Sequence, residues 1–321
     1  MLRRGGATLS LLALAACGQA TPPRESVPKA FIDTDWPTIP ADAVFGQVTA
    51  VEVDSHGHVF VLHRAGREWE EPFTTAPIAE PTVFMFDPDG TLLARWGAGN
   101  FVMPHGLSID AEDAVWITDV AREQVFRFSH DGEQELVLGE RGVTAQDAGH
   151  FGRPADIAFI GDRVLVADGY VNTRVAEFNS QGTFLRDWGE FAVAHGIAVD
   201  DQRIYVADRE NAQIQVYSHD GELIEARQSE DGNHTYGLAA LGKGRLLAVE
   251  GRDAADRTGA IIRIYASDGS IETSLDAGLL GEGASLGHDI AVDKQGFAYV
   301  TDVYGNRVVR FKLPRGEASG E

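Results

Sequence analysis

The chain has 321 residues, 44% of them hydrophobic, with a single cysteine and a formal net charge of −22. This length and apolar content suffice for a sizeable buried core, and closed all-β folds of this length often form one domain. The strong negative charge argues against nucleic acid as a partner and against attraction to anionic lipid, and the lone cysteine excludes an intrachain disulfide.

Residues 1–17 have the composition of an export signal. Two arginines and a short apolar run precede Leu14-Ala15-Ala16-Cys17, and that run is too short for a permanent membrane-spanning helix. The tetrapeptide resembles a bacterial lipobox, which implies a lipid attached to the cysteine after cleavage. We therefore expect an exported bacterial lipoprotein on the periplasmic side of a membrane or at the cell surface, with the lipid as its only membrane contact. An ordinary secretory signal with a chance cysteine is the alternative.

The remaining chain divides into three parts by composition. Residues 18–36 begin with a polar, proline-rich run, which is typical of a tether between a lipid and a folded domain. Residues 37–314 contain the repeats described next and are predicted to form one domain. Residues 315–321 are predicted to be a C-terminal tail.

One pattern recurs along the predicted domain: a short apolar strand, a polar turn, a second strand, and then a β-branched strand before a turn of Asp-Gly type. Its copies begin at Val51, His105, Ala155, His195, Tyr236 and His288. Each copy alternates apolar and polar residues and cannot bury its own faces, so the copies are expected to pack radially. The sequence therefore predicts an all-β, six-bladed β-propeller, with an open β-solenoid or a sandwich as the alternative.

The last copy ends near Leu313 after only three strands. A closed propeller needs a fourth strand in that blade. We expect an N-terminal strand, supplied by the segment around residues 40–48, to complete the last blade and close the ring.

Histidine opens the first strand of three alternate copies: His105, His195 and His288. In a propeller the first strand of each blade lines the axis, so these three axial histidines would converge at one mouth of the channel. A single histidine there is more often a hydrogen-bonded core residue. Three neutral imidazoles with one open position are the ligand set of a catalytic zinc ion, which we expect here.

The second strand of each copy ends at the same mouth. Its last position is acidic in all copies but the first, and these carboxylates are expected to be structural. Arg64, Tyr170 and Arg209 follow closely after it and could bind a carboxylate and hold a phenol of lowered pKa. Asp289 could face a second, harder cation deeper in the channel together with backbone carbonyls, or serve an ordinary structural role.

These residues resemble the peptidyl-α-hydroxyglycine α-amidating lyase family, also called peptidylamidoglycolate lyases, a branch of the NHL-repeat propellers. The resemblance covers roughly residues 48–313. It rests on Phe60-Val-Leu-His-Arg64, Pro104-His-Gly-Leu107, Val166-Ala-Asp-Gly-Tyr170, Val206-Ala-Asp-Arg-Glu-Asn211 and His288-Asp-Ile-Ala-Val292.

The resemblance implies zinc on the three axial histidines. It also implies Tyr170 as the general base, with Arg64 and Arg209 fixing the substrate and stabilising the tyrosinate. The implied reaction splits a carbinolamide, a peptide ending in α-hydroxyglycine, into a peptide amide and glyoxylate. The physiological substrate could be another carbinolamide, such as a ureidoglycolate-like compound.

The resemblance further implies a structural calcium ion held by Asp289 and by the backbone carbonyls of Val51 and Leu107. One departure lies beside the expected zinc site, where Leu286-Gly287 replaces the Met-Pro that the family has before this histidine. That departure could loosen the far side of the zinc site.

Two other functions stay open at this point. One is a non-catalytic NHL-type propeller that binds a peptide or protein, and the other is a metal-dependent ester or lactone hydrolase. The arginine and tyrosine set favours the lyase, because a pure binding module needs no base beside a metal. We expect a monomer acting on a small-molecule or peptide substrate with a carbinolamide end. No ligand role is expected for the remaining histidines, which lie in predicted turns or loops: His56, His58, His130, His150, His219 and His234.

Overall fold

The computed structural model describes residues 32–33, 36–251, 260–275 and 285–314. The predicted signal with Cys17, most of the predicted tether and the predicted tail lie outside the described residues. Within the described part of the chain, no helix is long and apolar enough to cross a membrane.

The described strands form six antiparallel sheets of four strands each, arranged as the blades of a propeller. Blade one contains β2 (Val48–Val53), β3 (Val59–His63), β4 (Val83–Phe86) and β5 (Leu92–Trp96). Blade two contains β6 (Pro104–Ile109), β7 (Val115–Asp119), β8 (Gln124–Phe128) and β9 (Gln134–Leu138). Blade three contains β10 (Asp156–Ile160), β11 (Arg163–Asp168), β12 (Arg174–Asn179) and β13 (Phe184–Trp188).

Blade four contains β14 (Ala194–Val199), β15 (Arg203–Asp208), β16 (Gln213–Ser218) and β17 (Leu223–Gln228). Blade five contains β18 (His234–Gly242), β19 (Arg245–Gly251), β20 (Ile261–Tyr265) and β21 (Ile271–Leu275). Blade six contains β22 (Gly287–Val292), β23 (Phe297–Asp302), β24 (Arg307–Lys312) and β1 (Ile32–Asp33). Two short 3-10 helices, Arg209–Asn211 and Glu230–Gly232, follow β15 and β17. The predicted six-bladed, all-β propeller is confirmed.

The core lies between neighbouring blades, where the faces of adjacent sheets meet. Phe60 and Leu62 of blade one, for example, pack with Leu107, Ile117 and Phe126 of blade two. The second strand of each blade is buried on both faces, whereas outer strands such as β5 and β13 alternate between exposed and half-buried residues. This gradient explains why the inner strands read as nearly continuous apolar runs and the outer ones as alternating patterns.

The fourth strand of the last blade lies upstream of its expected position. Ile32 and Asp33 pair antiparallel with Phe311 and Arg310 of β24, within the segment predicted to be a tether. The expectation of a strand around residues 40–48 was wrong, because residues 40–47 form no strand and the next residue begins blade one. The buried Trp36 packs against Tyr299 of blade six and Phe86 of blade one. The chain is therefore already crossing between these blades when it reaches residue 40.

Candidate active site

The three axial histidines meet on the propeller axis. All are buried, and one ligand atom from each lies within 4.8 Å of those of the others. Their ring centroids are 4.7 to 4.9 Å apart, a nearly equilateral triangle. The structure thus brings together the residues that the sequence placed in alternate blades, in an arrangement that could hold a metal ion.

Each axial imidazole is oriented by the blade that follows it. The Nδ1 atoms of His105, His195 and His288 lie 2.8, 2.9 and 2.7 Å from three backbone carbonyl oxygens. These acceptors are the carbonyls of Ala155, Tyr236 and Thr49 in blades three, five and one. A carbonyl can only accept, so each Nδ1 carries the proton and each Nε2 keeps a lone pair for a ligand.

A glycine follows each of the first two axial histidines, and the close approach between blades requires it. A Cβ atom on Gly196 would lie 2.4 Å from the carbonyl oxygen of Tyr236. That oxygen is the one that accepts the His195 Nδ1 proton. The glycine therefore allows blade five to come near enough to orient the imidazole.

Burial and neighbouring charge keep the axial imidazoles neutral. Burial, with the nearby Arg64, lowers the pKa of His288 to about 3. Burial also holds the pKa of His105 and His195 well below its ordinary value, with the other imidazoles and Arg209 acting in the same direction. A neutral imidazole is the form that binds a metal, so protons compete for this site only in acid.

The acidic residues that end the second strands hold the backbone next to the axial histidines. Asp119 accepts hydrogen bonds from the N–H groups of Val102 and Met103, just before His105. Asp208 accepts one from Ala192, and Asp302 one from Leu286, each just before the axial histidine of its blade. These buried carboxylates position the histidine strands and do not point into the mouth, as the sequence predicted.

Tyr170 contacts two of the three axial histidines. Its hydroxyl is 2.9 Å from Nε2 of His105 and 3.0 Å from Nε2 of His195. Nη1 of Arg209 donates to the same oxygen at 3.1 Å, and its guanidinium stacks over the phenol ring. A Cβ atom on the preceding Gly169 would lie 2.1 Å from the carbonyl oxygen of Ala194, so the close approach of blades three and four requires glycine here. The phenol is fixed where it can exchange a proton with a group bound on the axis.

The protein's own groups do not lower the pKa of the Tyr170 phenol, and the lowered pKa expected from the sequence was for a mouth that carries zinc. Burial raises this pKa, and the positive charges of Arg209 and Arg64 only partly oppose it. Burial outweighs both arginines because the phenolate loses most of its hydration there. A further positive charge on the axis is what would favour the ionised phenol.

Arg64 lies on the other side of the mouth. Its Nε donates to the carbonyl of Pro104 at 3.1 Å, and its Nη1 donates to the Gln47 side chain at 2.9 Å. Burial lowers its pKa to about 10, so it remains charged at neutral pH. The guanidinium also packs over Trp69, at 5.2 Å from the ring centroid.

Trp69 is a site residue that the sequence did not reveal. Its ring centroid lies 5.4 Å from that of Tyr170 and 6.3 Å from that of His105. It belongs to the β3–β4 connection, which is far longer than the other connections of blade one. That length was the available signal, because long loops on a rigid scaffold often cover a functional mouth.

The axial channel opens into one cavity at each end, and the two cavities differ in size and in chemistry. The larger, about 700 Å³, contains Arg64, Tyr170 and Arg209 and opens on the histidine side. The smaller, about 370 Å³, contains three half-buried carboxyl groups, Glu52, Asp156 and Asp289.

The predicted calcium ligands lie at the smaller cavity. Leu107 and Asp289 line it, and Asp289 accepts a hydrogen bond from the N–H of Val51 at 2.9 Å. Burial raises the pKa of Glu52 and Asp156 to about 7, and that of Asp289 well above its usual value, with Asp156 and Glu52 adding repulsion. A cation that bound these oxygen atoms would remove that repulsion.

The chain is similar to propellers of known fold. The NHL repeat family model matches residues 191–217. The structure of a streptogramin B lyase superimposes with a TM-score of 0.59 at 12% identity, covering 85% of this chain and 95% of that chain. A gluconolactonase from Xanthomonas campestris superimposes with a TM-score of 0.63 at 17% identity, covering 91% and 99%.

Sequence relatives are more specific. Peptidyl-glycine alpha-amidating monooxygenase B of Xenopus laevis is 31% identical over 89% of this chain and 36% of its own length. Peptidyl-alpha-hydroxyglycine alpha-amidating lyase 2 of Drosophila melanogaster is 34% identical over 68% of this chain and 61% of its own length. The chain thus spans only about a third of the Xenopus relative, 36% of its length.

Fold and site together define a six-bladed NHL-repeat propeller with a candidate metal centre at one mouth of its channel. Within that class, the chain belongs to the peptidyl-α-hydroxyglycine α-amidating lyase family.

Proposed function

We propose that this protein is a zinc-dependent lyase that cleaves a carbinolamide, such as a peptide ending in α-hydroxyglycine, to an amide and glyoxylate. One observation carries the proposal. The Tyr170 hydroxyl lies within hydrogen-bond distance of two axial imidazoles and of Arg209, at the bottom of an open cavity. A binding module has no need of a phenol placed in this way.

The residues present fit a zinc ion. His105, His195 and His288 offer three neutral Nε2 atoms whose tautomers are fixed by backbone carbonyls, and a three-histidine set leaves a position for substrate. Zinc bound there would supply a Lewis acid that polarises the substrate hydroxyl and favours ionisation of the neighbouring phenol. The positive charge of the ion would oppose the effect of burial, which raises the pKa of Tyr170.

Tyr170 in its ionised form would take the proton of the substrate hydroxyl. The C–O bond then gains double-bond character, the C–N bond breaks, and its electron pair goes to the amide nitrogen. The phenol returns the proton to that nitrogen, so that the products are a neutral amide and glyoxylate. Arg209 stabilises the phenolate by the hydrogen bond that it donates to the phenol oxygen.

Arg64 would fix the carboxylate of the substrate. Its guanidinium is held by Pro104 and Gln47, which pre-orients a charged group at the wall of the cavity. A charge-assisted contact from this position would align the hydroxyl-bearing carbon with Tyr170. Trp69 covers the same wall and would exclude water from the reacting bond.

The smaller cavity would hold a structural calcium ion. Calcium prefers oxygen ligands, and Asp289 together with the carbonyls of Val51 and Leu107 supplies that donor type. The neighbouring Glu52 and Asp156 add negative charge to the same cavity. We propose this ion as a support for the inner strands and not as a participant in the reaction.

The N-terminal segment would attach the propeller to a membrane through a lipid on Cys17, with the catalytic domain exported and monomeric. Substituting Cys17 by alanine should move the chain from the membrane fraction to the soluble fraction. A chain that stays with the membrane after this substitution would contradict lipid anchoring.

The proposal is tested by metal content and glyoxylate release measured on the same samples. Wild type should hold zinc on the axis and release glyoxylate from a synthetic peptidyl-α-hydroxyglycine, and His195→Ala should lose both. His219→Ala is the matched control, because the His219 imidazole lies in a turn away from the axial histidines, with its Nε2 at 2.9 Å from the Asp200 carbonyl oxygen. Zinc binding that survives in His195→Ala at an unchanged level would argue against the axial site.

A further inference from the structure

A second group of histidines lies on the face of the propeller opposite the active-site mouth. Asp54, His56 and His58 occupy the turn between β2 and β3, and His130 occupies the turn between β8 and β9 of the next blade. One ligand atom from each lies within 4.8 Å of those of the others. β2 begins beside His63 at the active-site end, so its far end, and this turn, point away from the axial histidines.

The turn between β2 and β3 orients the buried Asp54 carboxylate so that one of its oxygen atoms faces the histidines. Its Oδ1 accepts hydrogen bonds from the backbone N–H groups of His56 and His58, at 2.9 and 2.7 Å. Its Oδ2 faces Nδ1 of His58 at 2.8 Å and Nε2 of His130 at 2.9 Å. The carboxylate is therefore held rigidly by the backbone while its second oxygen meets imidazoles from two blades.

His56 completes the group from the solvent side. Its Nδ1 lies 3.8 Å from Oδ2 of Asp54 and 3.3 Å from Oδ2 of Asp113. Asp113 is itself fixed, because Ser55 donates to it from both its N–H and its hydroxyl. A second carboxylate thus stands behind the outermost imidazole and adds negative charge to the group.

We propose that Asp54, His56, His58 and His130 form a second metal site, which binds a divalent transition ion of the zinc type. Imidazole nitrogens with one carboxylate oxygen are a donor set that suits zinc and its neighbours better than calcium or magnesium. Bonds of roughly 2.0–2.1 Å place the ligand atoms of a tetrahedral site about 3.4 Å apart. The ligand-atom distances of 2.8, 2.9 and 3.8 Å to Asp54 lie on both sides of that value.

The position of the site defines what the ion would do. His130 belongs to blade two and the other three ligands to blade one, so a shared ion ties two blades together at the face opposite the reaction. The imidazoles of His56, His58 and His130 are 63%, 29% and 28% exposed, so the ion would exchange with solvent. An ion that binds only the folded state raises the unfolding temperature, and the rise increases with the logarithm of its concentration once the site is saturated.

Blade four offers a natural comparison. The tetrapeptide Ser129-His130-Asp131-Gly132 recurs as Ser218-His219-Asp220-Gly221 at the equivalent turn. There the histidine Nε2 lies 2.9 Å from the Asp200 carbonyl, and Arg163 of the neighbouring blade approaches its backbone. Among the residues that the structure describes, this turn faces no Asp-Ser-His-Gly-His sequence and gathers no group of metal ligands. His219 is therefore the matched control.

The test uses the full chain without a histidine tag, stripped by a chelator, loaded with zinc chloride and freed of unbound ion. Wild type should retain about one zinc equivalent more than the double variant His58→Gln/His130→Gln. His219→Gln should retain as much as wild type. His195→Ala should lose a different equivalent, so failure of this site and failure of the axial site give different results.

Two further measurements test the second metal site. Zinc should raise the unfolding temperature of His195→Ala but not that of the triple variant His58→Gln/His130→Gln/His195→Ala. X-ray absorption of zinc-loaded His195→Ala should show only nitrogen and oxygen neighbours, with imidazole scattering. Equal zinc content in wild type and in His58→Gln/His130→Gln would overturn the proposal, as would a His195→Ala protein that retains no zinc while folding normally.

Discussion

The two ends of the axial channel contain opposite chemistry within one set of six inner strands. One end gathers imidazoles, and burial lowers their pKa, to about 3 for His288. The other end gathers carboxyl groups, and burial raises their pKa, to about 7 for Glu52 and Asp156. Burial and the neighbouring positive charges therefore prepare a neutral nitrogen site that is ready for a metal, whereas the carboxyl end needs a cation to hold it ionised.

The largest effect is expected from removing the phenol at the nitrogen end. Tyr170→Phe should lower kcat by about 10²- to 10⁴-fold, since proton transfer by a placed side chain is typically worth that much. Zinc content should not change, because Tyr170 is not among the proposed ligands. Steady-state glyoxylate release with metal analysis checks both. Tyr304→Phe, in the same cavity, is the control, and an equal loss there would remove the special role of Tyr170.

The next effect concerns the arginine that touches the phenol. Arg209→Lys keeps a positive charge but loses the planar group that both donates to the Tyr170 oxygen and stacks over its ring. We expect roughly a tenfold to hundredfold loss of kcat, the size of one charge-assisted hydrogen bond. The pH at which activity is half-maximal should rise, because the phenolate loses support. An unchanged pH profile would contradict a contact between Arg209 and the ionised phenol.

A smaller effect should follow from adding a side chain in the narrow space between blades four and five. Gly196→Ala would place a methyl group 2.4 Å from the Tyr236 carbonyl, and the backbones must separate. Overpacking of this kind costs about 1–3 kcal/mol of unfolding free energy, and zinc affinity should fall with it. Denaturant unfolding and zinc titration measure the two. Gly149→Ala has only one distant contact, at 3.7 Å, and should leave both unchanged.

The smallest effect belongs to the carboxyl end and depends on pH. The pKa of Glu52 is about 7 in the folded chain against 4.5 for the free group, so its contribution to stability is full below pH 4.5. That contribution disappears as pH rises through 7, unless a cation is bound. Without calcium, Glu52→Gln should therefore gain stability relative to wild type between pH 5 and pH 8.

Thermal unfolding across this pH range, with and without calcium, measures the difference. Calcium should stabilise wild type more at pH 8 than at pH 5. Glu112→Gln, at an exposed position, is the control. A pH-independent difference between Glu52→Gln and wild type would show that the carboxyl end does not behave as a cation site.

Sequence reasoning found the parts of this molecule that repeat. The fold followed from six copies with period-two patterning, and the axial histidines followed from their common position in alternate copies. The carbonyl groups of Thr49, Ala155 and Tyr236 could not be foreseen as their partners, because that contact depends on how closely neighbouring blades approach. In the sequence it is visible only for the first two axial histidines, as the glycines Gly106 and Gly196 that follow them.

Features that do not follow the repeat could not be predicted from the sequence. Trp69 lies in a connection of irregular length, and no pattern indicates which wall of the mouth it covers. We expected the closing strand around residues 40–48, but it lies earlier, at Ile32–Asp33. The contacts between the last and first blades after this strand are made by the Trp36 side chain and not by a strand. His56, His58 and His130 were set aside as turn residues, since only the packing of blade two on blade one brings their two turns together.

The central claim is that the histidine end of the channel cleaves a carbinolamide. The most direct measurement follows glyoxylate and amide formation from a synthetic peptidyl-α-hydroxyglycine, and separately from ureidoglycolate, by the same enzyme before chelation, after it and after zinc is restored. The account predicts equal amounts of both products from at least one of these substrates, loss of turnover on chelation and its return with zinc. Equal turnover by the metal-free protein, or no glyoxylate from either substrate by the zinc-loaded protein, would contradict it.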